Sequence, residues 1–255
     1  MKLNNLEKFL QKVNGGCMAY GCCITSSDES ATEIACAAGF DFVWIDGEHG
    51  QMDRNTAMRH LIAVKGTGVA SFYRVPACDH TEIKKVIDFG PAGIIVPMVL
   101  NADEARRAIA AMRYPPIGNR GCGFRRGLAY GAGDFKDYWD ASANDPMAIL
   151  QLEHIDAYRD LDNILKVQGL DCIMIGPFDF SASMGKAGQW DDPEVRTVFD
   201  DACRRIRAAG VMLGVALDVR QAEWKARGAQ WMAVKGDMTA LVERWREVLH
   251  EAKSE

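Results

Sequence analysis

The sequence predicts an α/β protein that folds as one (β/α)8 TIM barrel over residues 1–255, with an extra helix at its N-terminus. The chain has 255 residues, close to the roughly 250 that such barrels usually contain. It also has eight short apolar runs, and segments with helical spacing separate them. Because the runs are almost continuously hydrophobic, we expect parallel strands that are covered on both faces.

The apolar runs are predicted to be the strands of the barrel. In chain order they are Met18–Cys23, Phe40–Asp46, Ala70–Val75, Gly93–Met98, Ala148–Glu153, Cys172–Gly176, Val211–Leu217 and Trp231–Lys235. An open doubly wound sheet is the alternative. It would need a glycine-rich turn after its first strand, and residues 23–27 contain no glycine.

The segments between the runs are predicted to be helices, and several carry start and stop signals. Asp192 precedes Pro193 at the start of one helix, and Gly210 follows its end. The predicted helices are Leu3–Val13 ahead of the first strand, then Ser30–Ala38, Asn55–Lys65, Thr81–Phe89, Ala102–Met112, Ala157–Val167, Pro193–Ala209, Arg220–Ala226 and Thr239–Lys253. The segment Tyr114–Asp145 is instead long and rich in glycine and polar residues, so we expect a functional or interface loop.

Composition and charge restrict the class of function. With 48% hydrophobic and 25% charged residues the chain has an ordinary globular composition, and its net charge of −5 argues against nucleic-acid binding. The N-terminus has no apolar signal-peptide core, and the apolar stretch Ala92–Leu100 is shorter than the roughly 18 residues that a membrane span needs. The eight cysteines form no CxxC pair, so free thiols are expected. We therefore expect a cytoplasmic protein without nucleic-acid or membrane partners.

Polar side chains follow the second and third predicted strands. Asp46, Glu48 and His49 stand where the second apolar run stops, and Arg74 stands at the end of the third. In a (β/α)8 barrel the catalytic groups lie at the carboxyl ends of the strands. A histidine beside two acids is a candidate general base, and an arginine there can hold a carboxylate or an enolate oxygen. A capping loop and a salt bridge at the rim are the simpler interpretations.

Two further carboxylates end the fifth and sixth predicted strands, Glu153 and Asp179. Either acid alone is more often a helix cap. As a pair on adjacent strands they predict a site for a divalent cation, Mg²⁺ or Mn²⁺ with Co²⁺ as a third candidate, because these ions prefer oxygen ligands. No third protein ligand is evident, so we expect a weakly held, exchangeable metal.

Several segments together form a pattern that resembles a known enzyme family. They are Gly39–Asp41 with Asp46–His49, Val96–Met98 with Asn101–Ala105, Arg113–Pro116 with Arg120–Gly121, and Ile175–Ser181. The pattern is similar to that of the HpcH/HpaI aldolase family, the metal-dependent class II pyruvate aldolases. The family includes 4-hydroxy-2-oxoheptane-1,7-dioate aldolase and 2-keto-3-deoxy-sugar-acid aldolases. The match runs from about Gly21 to Ala240.

The resemblance implies a role for each candidate residue. Glu153 and Asp179 would bind the metal, and His49, supported by Asp46, would move a proton through water. Arg74 would stabilise the C2 oxygen of pyruvate as the enolate forms. An aldehyde would accept the new carbon–carbon bond, or the same steps would run backward in cleavage.

The resemblance also implies a substrate pocket and an assembly. Gln151, Gly176 and Pro177 would shape the pyruvate end of the site, and Phe178 would border the aldehyde pocket. The chain would form a homohexamer, a trimer of dimers with an exchanged C-terminal helix. Phe178, Cys23 and the loop Phe124–Gly133 depart from the usual family pattern, which leaves the acceptor aldehyde open.

Other functions on the same scaffold remain. An oxaloacetate decarboxylase would make the same pyruvate enolate. A CoA-thioester lyase would need a basic site for the nucleotide phosphates, and none is obvious in the sequence. A barrel that only binds a small acid would not require a positioned base such as His49.

Overall fold

The computed structural model describes residues 5–142, 145–217 and 220–254. Its eight parallel strands close into a barrel in sequential order, which confirms the predicted fold class. The strands are β1 (Ala19–Ile24), β2 (Phe42–Asp46), β3 (Ala70–Arg74), β4 (Gly93–Val96), β5 (Met147–Leu152), β6 (Cys172–Ile175), β7 (Met212–Val215) and β8 (Trp231–Gly236).

Helices cover the outside of the barrel. They are α1 (Leu6–Asn14), α2 (Ser30–Ala37), α3 (Arg54–Ala63), α4 (His80–Ile87), α5 (Ala102–Met112), α6 (Phe135–Ser142), α7 (Ile155–Arg159), α8 (Leu161–Ile164), α9 (Pro177–Ser183), α10 (Pro193–Ala208), α11 (Gln221–Ala226) and α12 (Asp237–Lys253). The cap before α10 is as predicted, since the Asp192 side chain accepts the backbone N–H groups of Glu194 and Val195. Leu3, in the predicted N-terminal helix, lies outside the described residues.

Two segments differ from the sequence-based prediction. The helix predicted at Ala157–Val167 is divided into α7 and α8 at Asp160, whose carboxylate accepts the Ala102 N–H at the start of α5 at 2.7 Å. No helix was predicted directly after β6, but the short helix α9 begins there at Pro177, where a proline at the first position needs no N–H donor. A tertiary contact accompanies the first difference, whereas Pro177 is a local signal for the second.

The predicted loop Tyr114–Asp145 is partly ordered as helix. It contains α6 and a 3₁₀ turn at Ala129–Gly131. Aromatic rings from the start of the segment and from α6 pack together. The cluster comprises Tyr114, Phe124, Phe135, Tyr138 and Trp139. The Arg120 guanidinium stacks 4.5 Å from the Tyr114 ring and donates to Asp88 Oδ1, at the end of α4, at 3.2 Å, so the segment is anchored on the barrel.

The interior of the barrel is filled from its amino-terminal end. Phe9 of α1 packs edge-on against Phe42 and Phe72, with ring centroids 5.9 and 5.1 Å apart. Gly214 leaves room for the Trp231 ring, because a Cβ there would lie 2.1 Å from it. This packing closes the amino-terminal end and leaves the carboxyl ends of the strands open for polar side chains.

No helix in the described ranges is both long and apolar enough to cross a membrane. All eight cysteines are free thiols.

Candidate active site

A buried ion pair between Arg74 and Asp46 lies at the carboxyl end of the barrel. The two residues are register partners on β3 and β2. Arg74 Nε and Nη2 donate to Asp46 Oδ1 and Oδ2 at 2.8 and 2.7 Å, and the two side chains are 5% and 3% exposed. A two-point contact of this kind fixes the plane of the guanidinium as well as its position.

The rest of the Arg74 guanidinium is also enclosed. Nη1 lies 2.7 Å from Glu48 Oε2 and 3.4 Å from Gln151 Oε1. The ring of Trp44 lies under the guanidinium, 4.4 Å from Cζ, in a cation–π contact. Burial acts to lower the pKa of Arg74, but Asp46 and Glu48 outweigh it, and the pKa is raised. Arg74 is therefore a fixed positive charge.

His49 lies at the solvent side of this ion pair. Its side chain is 68% exposed, and Nε2 lies 3.7 Å from Glu48 Oε2. The Asp46 carboxylate meets His49 only through the backbone N–H, at 3.4 Å, and also accepts the Glu48 N–H at 3.0 Å. The carboxylate beside the imidazole is thus Glu48. Asp46 holds the backbone of this loop and the guanidinium of Arg74.

Glu153 is the most deeply buried of the predicted metal-binding residues. Oε1 accepts the Met98 N–H at 2.7 Å, and Oε2 accepts the side-chain amide of Gln151. Because Gln151 also contacts Arg74, it bridges Arg74 and Glu153. Burial, with added repulsion from the charges of Glu48 and Asp179, raises the pKa of Glu153 from 4.5 to about 7.

The predicted residues after β6 complete this end of the barrel. Gly176 allows close packing, since a Cβ there would lie 3.0 Å from Gln151 Nε2. Pro177, Phe178 and Asp179 form the first turn of α9. Phe178 is 59% exposed, and Asp179 is exposed within the electrostatic reach of Glu48 and Glu153.

The charges at this site do not balance. Among the described residues of this site, the four carboxylates of Asp46, Glu48, Glu153 and Asp179 accompany Arg74, which is already bound to two of them. Within the described residues, no three His, Cys, Asp or Glu side chains are grouped as a metal cage. The surplus of oxygen ligands and negative charge nevertheless fits a divalent cation that keeps open positions for water and substrate.

A comparison with known proteins identifies the family. The sequence profile of the HpcH/HpaI aldolase/citrate lyase family matches residues 19–241. The chain belongs to this family. It is therefore a carbon–carbon lyase, and the resemblance found in the sequence is confirmed.

Relatives and solved structures agree with this membership. A hydroxypyruvate/pyruvate aldolase from Roseovarius nubinhibens is 37% identical over 94% of the chain and 95% of its own length. A 4-hydroxy-2-oxo-heptane-1,7-dioate aldolase from Salmonella dublin is 36% identical over 91% of the chain and 89% of its own length. The crystal structure of an HpcH/HpaI aldolase from Desulfitobacterium hafniense superposes with a TM-score of 0.86 at 28% identity, covering 95% of each chain.

The structure adds residues to the predicted site of this HpcH/HpaI family member. Glu48 stood out in the sequence only as a neighbour of His49, yet it contacts Arg74 directly. The backbone of Met98 and the ring of Trp44 were not predicted, since one acts through its N–H and the other through a ring inside the barrel. Met98 follows β4 and Trp44 lies within β2, and these positions are the only signals that the sequence contained.

The raised pKa of Glu153 predicts a pH-dependent stability. Between pH 4.5 and about 7 the carboxyl ionises in the unfolded chain but not in the folded one, so stability is lost as pH rises through this window. For metal-free protein, Glu153→Gln should raise the free energy of unfolding by about 2–3 kcal/mol more at pH 8 than at pH 5. Urea unfolding of both proteins at both pH values measures this difference, and an equal effect at the two values would refute it.

Proposed function

We propose that this enzyme is a divalent-metal-dependent aldolase that forms or cleaves 4-hydroxy-2-oxo acids through the enolate of pyruvate. The observation that carries the proposal is the buried Arg74 among four carboxylates, two of which follow the adjacent strands β5 and β6. The names of the relatives, which include pyruvate and 4-hydroxy-2-oxo acid aldolases, support the same reaction.

Glu153 and Asp179 are the proposed protein ligands of the cation, Mg²⁺ or Mn²⁺. A bound cation would supply Lewis acidity that polarises the 2-oxo group of the substrate. Met98 and Gln151 each donate a hydrogen bond to one oxygen of Glu153. These bonds fix the orientation of the carboxylate that would bind the cation.

Arg74 is proposed to bind the C2 oxygen of pyruvate while negative charge develops there. Its guanidinium is already oriented by Asp46 and needs no rearrangement when the enolate forms, which is the condition for electrostatic stabilisation of a transition state. Gln151, with Gly176 and Pro177, forms the adjoining wall, and the missing side chain of Gly176 lets the backbone approach Gln151 and Glu153 closely.

His49 is proposed to move the proton, through water. The pyruvate methyl group loses a proton, and its C3 then forms the bond to the aldehyde carbon. The aldehyde oxygen receives the electron pair of its carbonyl bond and takes up a proton, and cleavage is the reverse. The imidazole is exposed enough to exchange protons with solvent, and the Glu48 carboxylate lies 3.7 Å from its Nε2.

We further propose that the chain assembles as a homohexamer in which α12 packs on a second copy. None of the α12 residues is buried in the single chain. Its exposed apolar side chains repeat at helical spacing along one face, and they are Met238, Leu241, Val242, Trp245, Val248 and Leu249. A contiguous apolar face of this kind is typical of a surface that another subunit covers.

Exchange of the pyruvate methyl protons tests the proposed chemistry without knowledge of the aldehyde. In D₂O, proton NMR should show loss of the methyl signal when the enzyme is supplied with Mn²⁺ or Mg²⁺. The rate should fall by about 10²-fold or more in His49→Ala and in Glu153→Ala, because one loses the proton carrier and the other a metal ligand. Exchange that is equally fast in both variants would contradict the assigned roles.

The absence of exchange with every metal would count against the pyruvate enolate itself. A decarboxylase would also exchange the methyl protons. It differs from an aldolase in releasing CO₂ from oxaloacetate without forming a new carbon–carbon bond when an aldehyde is added.

The assembly is tested by reversing the polarity of α12. The pair of substitutions Leu241→Glu and Trp245→Glu should lower the molar mass in light scattering from that of six chains to a smaller species, because the acids cannot be buried. Glu247→Lys, on the opposite side of the helix, is the matched control and should leave the mass unchanged. A wild-type chain that is monomeric would exclude the hexamer.

A further inference from the structure

Asp237, the first residue of α12, binds the β1–α2 loop, which comprises residues 25–29. Its Oδ1 accepts the Thr25 hydroxyl at 2.8 Å, and its Oδ2 accepts the Ser26 N–H at 2.9 Å. The Thr25 N–H lies 3.1 Å from both oxygens, and Oδ1 also accepts the Met238 N–H at 2.8 Å. The carboxylate therefore joins the start of α12 to the β1–α2 loop at the carboxyl end of the barrel.

A buried histidine of α3 holds the same loop at the next residue. His60 Nε2 lies 3.1 Å from the Ser26 carbonyl oxygen, and Nδ1 lies 2.7 Å from Thr32 Oγ1. Because a carbonyl oxygen only accepts, Nε2 carries the proton and Nδ1 accepts the Thr32 hydroxyl. Burial lowers the pKa of His60, which favours this neutral ring. His60 thus fixes Ser26, whereas Asp237 binds both the hydroxyl and the N–H of Thr25.

Thr25 in turn packs against the loop that carries His49. Gly50 follows His49, and a Cβ built on Gly50 would lie 3.4 Å from both the Cα and the carbonyl oxygen of Thr25. The same Cβ would lie 2.4 Å from the Asp46 carbonyl oxygen, which is too close for any residue other than glycine. The backbone beside His49 is therefore enclosed between Asp46 and Thr25. Close-packed contacts of this kind transmit displacement, so the position of Thr25 influences that of His49.

We propose that Asp237 is a positioning residue for proton transfer. It holds Thr25, Thr25 supports the backbone of Gly50, and this contact keeps His49 in place at the site. The inference rests on the proposed function, because it needs His49 as the proton carrier.

The proposed cation ligands take their positions from other parts of the barrel. Glu153 and Asp179 follow β5 and β6, which lie across the closed barrel from β1 and β2. Glu153 is oriented by the Met98 N–H and the Gln151 side chain. The loss of the Asp237 carboxylate should therefore slow proton transfer without weakening the binding of the cation.

Exchange of the pyruvate methyl protons with Mn²⁺ present tests this role. In Asp237→Ala the kcat for exchange should fall about tenfold, because a displaced base loses the geometry of proton transfer. The KM for pyruvate and the Kd for Mn²⁺ should stay unchanged. Asp237→Asn keeps one acceptor oxygen and should have an intermediate kcat. In a His49→Ala background, Asp237→Ala should have no further effect, because the group that it positions is absent.

A second pair of variants decides the question if the Asp237 variants do not fold. Thr25→Val has nearly the volume of threonine but lacks the hydroxyl that Asp237 accepts, so kcat for exchange should fall, though less than in Asp237→Ala. Thr25→Ser keeps the hydroxyl and should keep the wild-type rate.

Asp79→Ala is the matched control. Asp79 also accepts backbone N–H groups at the start of a helix, those of Thr81 and Glu82 in α4. Its loss removes a helix cap without removing a contact to the β1–α2 loop, and kcat for exchange should stay at the wild-type value.

The inference alone would be overturned by equal kcat values in the wild-type enzyme, Asp237→Ala and Thr25→Val. A parallel loss of kcat and Mn²⁺ affinity in Asp237→Ala, or a molar mass below that of the wild type in light scattering, would also overturn it. Either result would mean that Asp237 supports the fold or the assembly instead. A wild-type enzyme that exchanges no pyruvate protons would overturn the proposed function, and the inference with it.

Discussion

The buried ion pair between Arg74 and Asp46 is the contact on which the rest of the site depends. Two charges this deep in a protein lose most of their hydration, so they persist only when the pairing geometry is good and the remaining polar atoms are satisfied. Here Asp46 meets both conditions by accepting two guanidinium N–H groups and the backbone N–H groups of Glu48 and His49. The ion pair thus sets the position of the whole loop after β2.

The unequal number of charges around that pair accounts for the chemistry of the site. One guanidinium cannot neutralise four carboxylates, and burial makes the surplus charge expensive, which explains the pKa of about 7 at Glu153. A divalent cation would remove this penalty and leave Arg74 available to the substrate oxygen.

Much of this arrangement could be predicted from the sequence, because strand position carries most of the information in a barrel. The near-continuous apolar runs identified all eight strands, and the polar residues that end them, such as Arg74 and Glu153, follow at one rim. What could not be predicted depends on side-chain direction. Asp46 and Glu48 are two residues apart and chemically alike, and only the three-dimensional contacts show that Asp46 pairs with Arg74 while Glu48 contacts both Arg74 and the imidazole of His49. The left-handed backbone at Met98 has no sequence signature, since methionine rarely adopts it.

The most direct test of the central claim is a titration of metal-free protein with Mn²⁺, followed by the electron paramagnetic resonance signal of the free ion, with oxalate as an analogue of the pyruvate enolate. If the carboxylate surplus around Arg74 holds a cation at Glu153 and Asp179, the wild-type chain should bind about one Mn²⁺, and oxalate should tighten its binding. Glu153→Ala should weaken the binding by about tenfold or more. Equal Mn²⁺ binding by the wild-type chain and Glu153→Ala would contradict the account, because the cation would then lie elsewhere.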